Sequence, residues 1–173
     1  VVRGELAESG VEAIFREARS DGGPVSPSGR GIVERLGPDG AHLLELDEAP
    51  AGSAWLTPAG SLPATFMIHL VVQSPDEPVT TASVRRALVN GLRRAASVGI
   101  ERVALPPLGV GAGNLEHEQA AAVIVEALAD HLEQGEPPLG FEIVVSGEYE
   151  EEVFRRAAAA HAPPDESAEE SAD

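Results

Sequence analysis

Apolar side chains in this chain follow two rhythms. Phe66-Met67-Ile68-His69-Leu70-Val71-Val72 is a nearly unbroken apolar run, and Val103-Ala104-Leu105 is a shorter one. Runs of this kind suit strands buried on both faces, here predicted over 65–72 and 102–105. Between them, Val84, Leu88, Leu92, Ala95 and Ala96 recur three and four residues apart, with Arg85, Arg86, Arg93 and Arg94 on the other side. That spacing predicts an amphipathic helix over 81–98, closed by Gly99. Ala121, Ile124, Val125, Leu128 and Leu132 predict a second helix over 115–134. A strand at 141–145 and a helix at 148–160 follow, the helix opening on acids as its dipole prefers. Glu148, Glu150, Glu151 and Glu152 could also be read as a metal cluster.

The first third is less regular. Gly4-Glu5-Leu6 and 11–15 read as short strands, 31–36 as a short helix stopped by Gly37-Pro38, and 41–46 and 54–57 as strands. Trp55 is expected in the core, and His69 reads as a hydrogen-bonded core histidine rather than a catalyst. Strands alternating with helices in the second half predict parallel strands with crossover helices, an α/β fold.

Composition narrows the function. The 173 residues suffice for one domain with its own core. Residues 1–160 read as that domain. Residues 161–173 carry five acids, two prolines and no large apolar group, and read as an acidic, disordered tail. Twelve basic residues face 29 acidic ones, a net charge of -17, which argues against nucleic acid as a partner. There is no cysteine, and the histidines at 42, 69, 117, 131 and 161 show no ligand spacing, so no metal or cofactor is expected. No membrane span or signal peptide is visible, which reads as a cytoplasmic protein.

One loop stands out. Leu105-Pro106-Pro107-Leu108-Gly109-Val110-Gly111-Ala112-Gly113-Asn114-Leu115 leaves a strand and enters a helix. Glycines at 109, 111 and 113 allow positive φ and close approach of a ligand to the backbone. N–H groups at the helix start can hold an anion without Lys or Arg. A tight turn with no ligand explains the same residues. The loop is not a G-x-G-x-x-G fingerprint, because Asn114 stands where the third glycine is needed, and it is not a P-loop. Asn114 reads as a helix N-cap. Glu116 and Glu118 would weaken an anion site unless they point away.

Here the chain resembles the macrodomain family, the ADP-ribose-binding fold. Gly4-Glu5-Leu6 followed by Val11-Glu12-Ala13-Ile14 is similar to the family's Gly-Asp-Ile and Val-Asp-Ala-Ile. Gly52 to Ala64, with Leu62-Pro63-Ala64, and Phe66-Met67-Ile68-His69 are similar to its strand, turn and Val-Ile-His segment, and Leu105 to Ala121 to its phosphate loop and following helix. The resemblance spans about residues 1–160. It implies a three-layer α/β/α fold with a mixed sheet between helices. It implies that Glu5 bonds the adenine amino group beside Leu6, and that the backbone of Gly109, Val110, Gly111, Ala112, Gly113 and Asn114 wraps the diphosphate.

Departures from the family pattern matter as much. Where the family reads Val-Asn-Ala-Ala-Asn, this chain has Phe15-Arg16-Glu17-Ala18-Arg19. Arg19 replaces the Asn that bonds the distal ribose and supports hydrolysis, and it becomes a candidate ligand contact. Arg16, Arg19 and Arg30 could reach phosphate bidentately, or instead pair with surplus acids such as Glu17 and Asp21. Pro24 and Pro27 remove N–H donors from the first loop. The adenine-stacking aromatic maps near Gly147, with Tyr149 as a nearby substitute. The resemblance therefore implies an ADP-ribose or nucleotide-diphosphate binder without catalytic residues. Its alternatives are a ligand-free protein-interaction scaffold and a weak ADP-ribosyl ester hydrolase. The protein partner is unknown.

Overall fold

The computed structural model describes residues 1–111 and 114–162; Ala112, Gly113 and all but the first two residues of the expected acidic tail lie outside it. Six strands form one sheet: β1 (Val2–Arg3), β2 (Ala13–Arg19), β3 (Ala54–Pro58), β4 (Phe66–Gln73), β5 (Arg102–Leu105) and β6 (Gly140–Val145). Their order is β1-β6-β5-β2-β4-β3. Every neighbouring pair is parallel except β3 against β4, so the sheet is mixed.

Four helices cover it: α1 (Pro27–Gly40), α2 (Thr81–Ser97), α3 (His117–Glu133) and α4 (Glu148–Ala159). Phe15, Ile68 and Leu70 face α2 and α3, in a core that also takes in Phe154 of α4. Ile14, Met67, Ala104 and Val144 point the other way, toward Ile32 and Leu36 of α1. Side chains that alternate along a strand thus feed two cores, which gives the three-layer α/β/α arrangement.

Local chemistry fixes the elements. Thr80 caps α2 through a reciprocal pair with Ser83, 3.0 Å in each direction, and the Ser83 hydroxyl also donates to Val72 O at 2.8 Å. Gly91 sits mid-helix, where glycine costs about 1 kcal/mol. A Cβ there would lie 2.5 Å from Leu70 Cδ2, so its absence lets α2 close onto the sheet. Glu12 accepts from Glu101 N and Arg102 N at 3.1 and 3.2 Å and fixes the start of β5 beside β2.

The structure redraws the first third. Gly4-Glu5-Leu6 is a loop running into a 3-10 turn, Leu6–Glu8, rather than a strand. Residues 41–44 form another 3-10 turn, Ala41–Leu44, where a strand was expected. The helix expected at 31–36 runs from Pro27 to Gly40, with a kink where Gly37 takes φ 64°. Trp55 is 47% exposed, not in the core, because β3 is the edge strand. Glu116, not Asn114, is the N-cap of α3. No helix among the described residues is long and apolar enough to cross a membrane.

Candidate functional site

A cleft of about 630 Å³ opens at the carboxyl ends of the parallel strands, where open α/β sheets hold ligands. Four segments meet there. Glu5 and Leu6 follow β1, and a Gly4 N–H bond to Val145 O at 3.0 Å holds this segment beside β6. Ser26, Pro27 and Ser28 begin α1. Val110 and Gly111 belong to the glycine loop. His117, Ser146 and Glu150 close the far side.

Local sequence explains each wall. Ser26 caps α1 by accepting from Gly29 N at 3.3 Å, and Pro27 takes the first helical position, where its missing N–H costs nothing. In the loop, Gly109 has φ 80°, and a Cβ there would sit 2.8 Å from Val84 Cγ2. Gly111 has φ 149°, with nothing nearer a Cβ than Asn114 Nδ2 at 3.8 Å. Both positions therefore favour glycine, the first for space as well as dihedral.

Of the residues expected to bind ligand, Glu5, Leu6, Val110 and Gly111 line one cleft. Gly109 and Asn114 support it from behind: Gly109 N donates to Glu17 Oε2 at 2.7 Å and Asn114 N to Gly111 O at 3.0 Å. Val110 and Leu115 form an isolated parallel bridge, and Leu115 N donates to Gly109 O at 2.9 Å, which fixes the loop's conformation. Ala112 and Gly113 lie outside the described residues. Arg19 does not line the cleft: it pairs with Asp21 at 3.4 Å, and its guanidinium lies over Gly23, where a Cβ would meet Nη2 at 2.2 Å. Glu116 and Glu118 stay out of the cleft lining as well, Glu118 accepting from the Tyr149 hydroxyl at 2.7 Å. That bond holds the Glu118 carboxyl below its ordinary range.

Arg16 neither reaches the cleft nor pairs with Glu17: it is completely buried. Nε donates to His69 Nδ1 at 2.7 Å, and Nη2 donates to Gly22 O at 2.7 Å and Leu44 O at 3.1 Å. His69 Nδ1 must then be the unprotonated nitrogen, so Nε2–H donates to Thr57 Oγ1 at 2.8 Å. Thr57 in turn donates to Pro58 O at 3.0 Å. Burial and the adjacent guanidinium push His69 down to about 3, so it is a neutral core histidine. Burial alone lowers Arg16 to about 10.

Two groups escaped the sequence reading. Glu17 is fully buried beneath the glycine loop. Burial raises its carboxyl to about 7, against the opposing pull of the Ser26 hydroxyl and the Gly109 N–H. Its Oε1 has no hydrogen-bond partner. His117 sits in the cleft with Nε2 3.3 Å from Glu150 Oε1, and its ring meets Tyr149 edge-on at 5.2 Å. Glu150 also accepts from Ser146 N and Oγ, both at 2.9 Å. A lone histidine opening a helix gave no signal in the sequence, because its partner lies 33 residues away. Among the described residues, no group of three or more His, Asp or Glu is placed to hold a metal ion.

Comparison with known proteins agrees with this geometry. The family model described as Macro domain matches residues 39–124. A protein of Aeropyrum pernix is 32% identical over 155 residues, covering 86% of this chain and 78% of the relative. A Citrobacter koseri relative named O-acetyl-ADP-ribose deacetylase is 30% identical over 145 residues, covering 76% of this chain and 78% of its own. Among solved structures, a mutant Oceanobacillus iheyensis macrodomain with ADPR superposes with a TM-score of 0.80 at 18% identity, over 92% of this chain and 90% of that one. With the family model, these relatives and the shared fold in agreement, the chain belongs to the macrodomain family.

Proposed function

We propose that the cleft binds ADP-ribose or a related nucleotide diphosphate, with the diphosphate held by backbone N–H groups of Val110 and Gly111 and the adenine end beside Glu5 and Leu6. The observation that carries this reading is convergence: the glycine loop, the Ser26-capped end of α1 and the Glu5-Leu6 segment enclose one cleft of ligand size. A helix N-terminus and loop amides can hold an anion without Lys or Arg. The ADPR-containing neighbour supports the same ligand class. Binding without efficient turnover fits the position of Arg19, paired with Asp21 away from the cleft. Pro24 and Pro27 favour the ligand-free scaffold as the competing reading, since each removes a donor.

A second reading is ester hydrolysis, named for the Citrobacter koseri relative. The His117–Glu150 pair favours it here, because a carboxylate-oriented imidazole in a cleft can act as general base. The separating experiment is a thermal-shift titration with ADP-ribose, ADP and AMP, followed by incubation with O-acetyl-ADP-ribose. At one hundred times Kd a ligand adds about 2.7 kcal/mol, which raises Tm by about 5–10 °C for a domain of this size. A shift with ADP-ribose and no acetate release supports the binder. Acetate release that His117→Gln abolishes supports the hydrolase. No shift with any nucleotide leaves the scaffold.

A further inference from the structure

Glu17 is the least expected group near the cleft. This chain buries the Glu17 carboxylate completely. It anchors the glycine loop: Oε2 accepts from Gly109 N at 2.7 Å, while the nearby Ser26 hydroxyl is engaged with Ser28 Oγ at 3.0 Å and Gly29 N at 3.3 Å. Oε1 remains unpaired.

Among the described residues, no cationic side chain bonds the Glu17 carboxyl. Leu70 is its register partner on β4, and Val79, Val84 and Leu115 surround Gly109. Arg16 projects from the opposite face of β2 and is engaged by His69, Gly22 O and Leu44 O, while Arg19 pairs with Asp21. No charged side chain contributes to the shift at Glu17. An ionised carboxylate here sits in a low-dielectric site beneath the segment that would receive an anion, and the two negative charges oppose each other.

We propose that Glu17 is a proton-linked positioning residue, a latch on the glycine loop that takes up a proton when an anionic ligand enters the cleft. The proposal rests on the diphosphate-binding reading for its ligand and on the Glu17–Gly109 bond for its mechanism. Protonation removes the charge that opposes the ligand and gives Oε1 or Oε2 a donor for a neighbouring oxygen. The ionised form holds the Gly109 N–H more strongly.

The experiment has two arms. In the ligand-free protein, the Gly109 amide resonance is followed by NMR from pH 5 to pH 9, in wild type and in Glu17→Gln, a neutral near-isostere that can still accept from Gly109 N. In the second arm, ADP-ribose affinity is measured by calorimetry at pH 6, 7, 8 and 9 for wild type, Glu17→Gln and His117→Gln. ADP-ribose suits this test because its phosphates are diesterified and keep constant charge over the range. Glu5, Glu34, Arg35, His117 and Glu150 also line the cleft, and His117→Gln serves as the comparison variant in its wall.

The expected result is a Gly109 titration that disappears in Glu17→Gln. Affinity should weaken about tenfold from pH 6 to pH 9, the equivalent of a one-unit shift at a single group. That dependence should be lost in Glu17→Gln and kept in His117→Gln. A Gly109 amide that does not titrate in wild type overturns the latch whatever the ligand does. So does a pH dependence that Glu17→Gln leaves unchanged. A titrating amide in a protein that binds no ADP-ribose at any pH supports the latch and removes the nucleotide reading.

Discussion

Replacing Arg16 with Met tests whether a fully buried cation without an acidic partner holds this fold together. The guanidinium serves three acceptors on three segments: His69 Nδ1 on β4, Gly22 O in the loop before α1, and Leu44 O in the 3-10 turn. Arg16→Met leaves all three without donors, at about 1–3 kcal/mol each. Met fills much of the same volume and relieves the burial of a charge whose Nη1 has no partner. These opposing effects leave an expected net loss of about 3 kcal/mol. At roughly 2–4 °C per kcal/mol for a domain this size, Tm should fall by about 6–12 °C, read by calorimetry at pH 7.5. Adding His69→Met to Arg16→Met should cost less than the sum of the single changes, because one orphaned acceptor is gone. An unchanged or higher Tm for Arg16→Met would refute the reasoning and show that burying the charge outweighs its hydrogen bonds.

His69 gives an acid-side prediction. Its folded pKa of about 3 lies below the ordinary 6.5, so the unfolded chain takes a proton that the native imidazole refuses. Its contribution to stability is present above pH 6.5 and is lost as pH falls toward 3. The slope should be at most about 1.4 kcal/mol per pH unit. Urea unfolding at pH 7, 6, 5 and 4 should show a shallower loss in His69→Gln than in wild type. Gly109→Ala forces a Cβ to within 2.8 Å of Val84 at φ 80° and should cost about 1–3 kcal/mol, with weaker ADP-ribose binding by calorimetry. Full ligand affinity in that variant would mean that the loop conformation is not needed.

The second half of the fold was legible because its signals are strong and local. β5 spans Arg102–Leu105 as predicted, and α2 ends one residue before its predicted boundary. The glycine loop and the Glu5-Leu6 segment were recognised from sequence, and they do meet in one cleft. What escaped depended on strand order. The strand expected over 11–15 continues through Arg19, because β2 lies between β5 and β4, and every residue of Phe15-Arg16-Glu17-Ala18-Arg19 but the last is buried. A central parallel strand buries both faces, so Arg16 and Glu17 became interior groups. Trp55 erred the opposite way, because β3 lies at the edge. The apolar Ala41-His42-Leu43-Leu44 segment gave up a strand for a 3-10 turn that presents Leu44 O to Arg16. That is a tertiary demand no local pattern carries.

The most direct test of the central claim is calorimetric titration of wild type and Gly111→Glu with ADP-ribose. Gly111 lines the cleft, and a Cβ there would be in ordinary contact with Asn114 Nδ2 at 3.8 Å and Val25 O at 3.9 Å, so a glutamate puts a negative charge where the diphosphate would sit. Wild type should bind saturably at a stoichiometry of about one. Gly111→Glu, its folded state verified by circular dichroism, should show no detectable binding. Equal binding to both proteins would place the ligand elsewhere, and no binding to wild type would contradict the nucleotide-binding reading of the cleft.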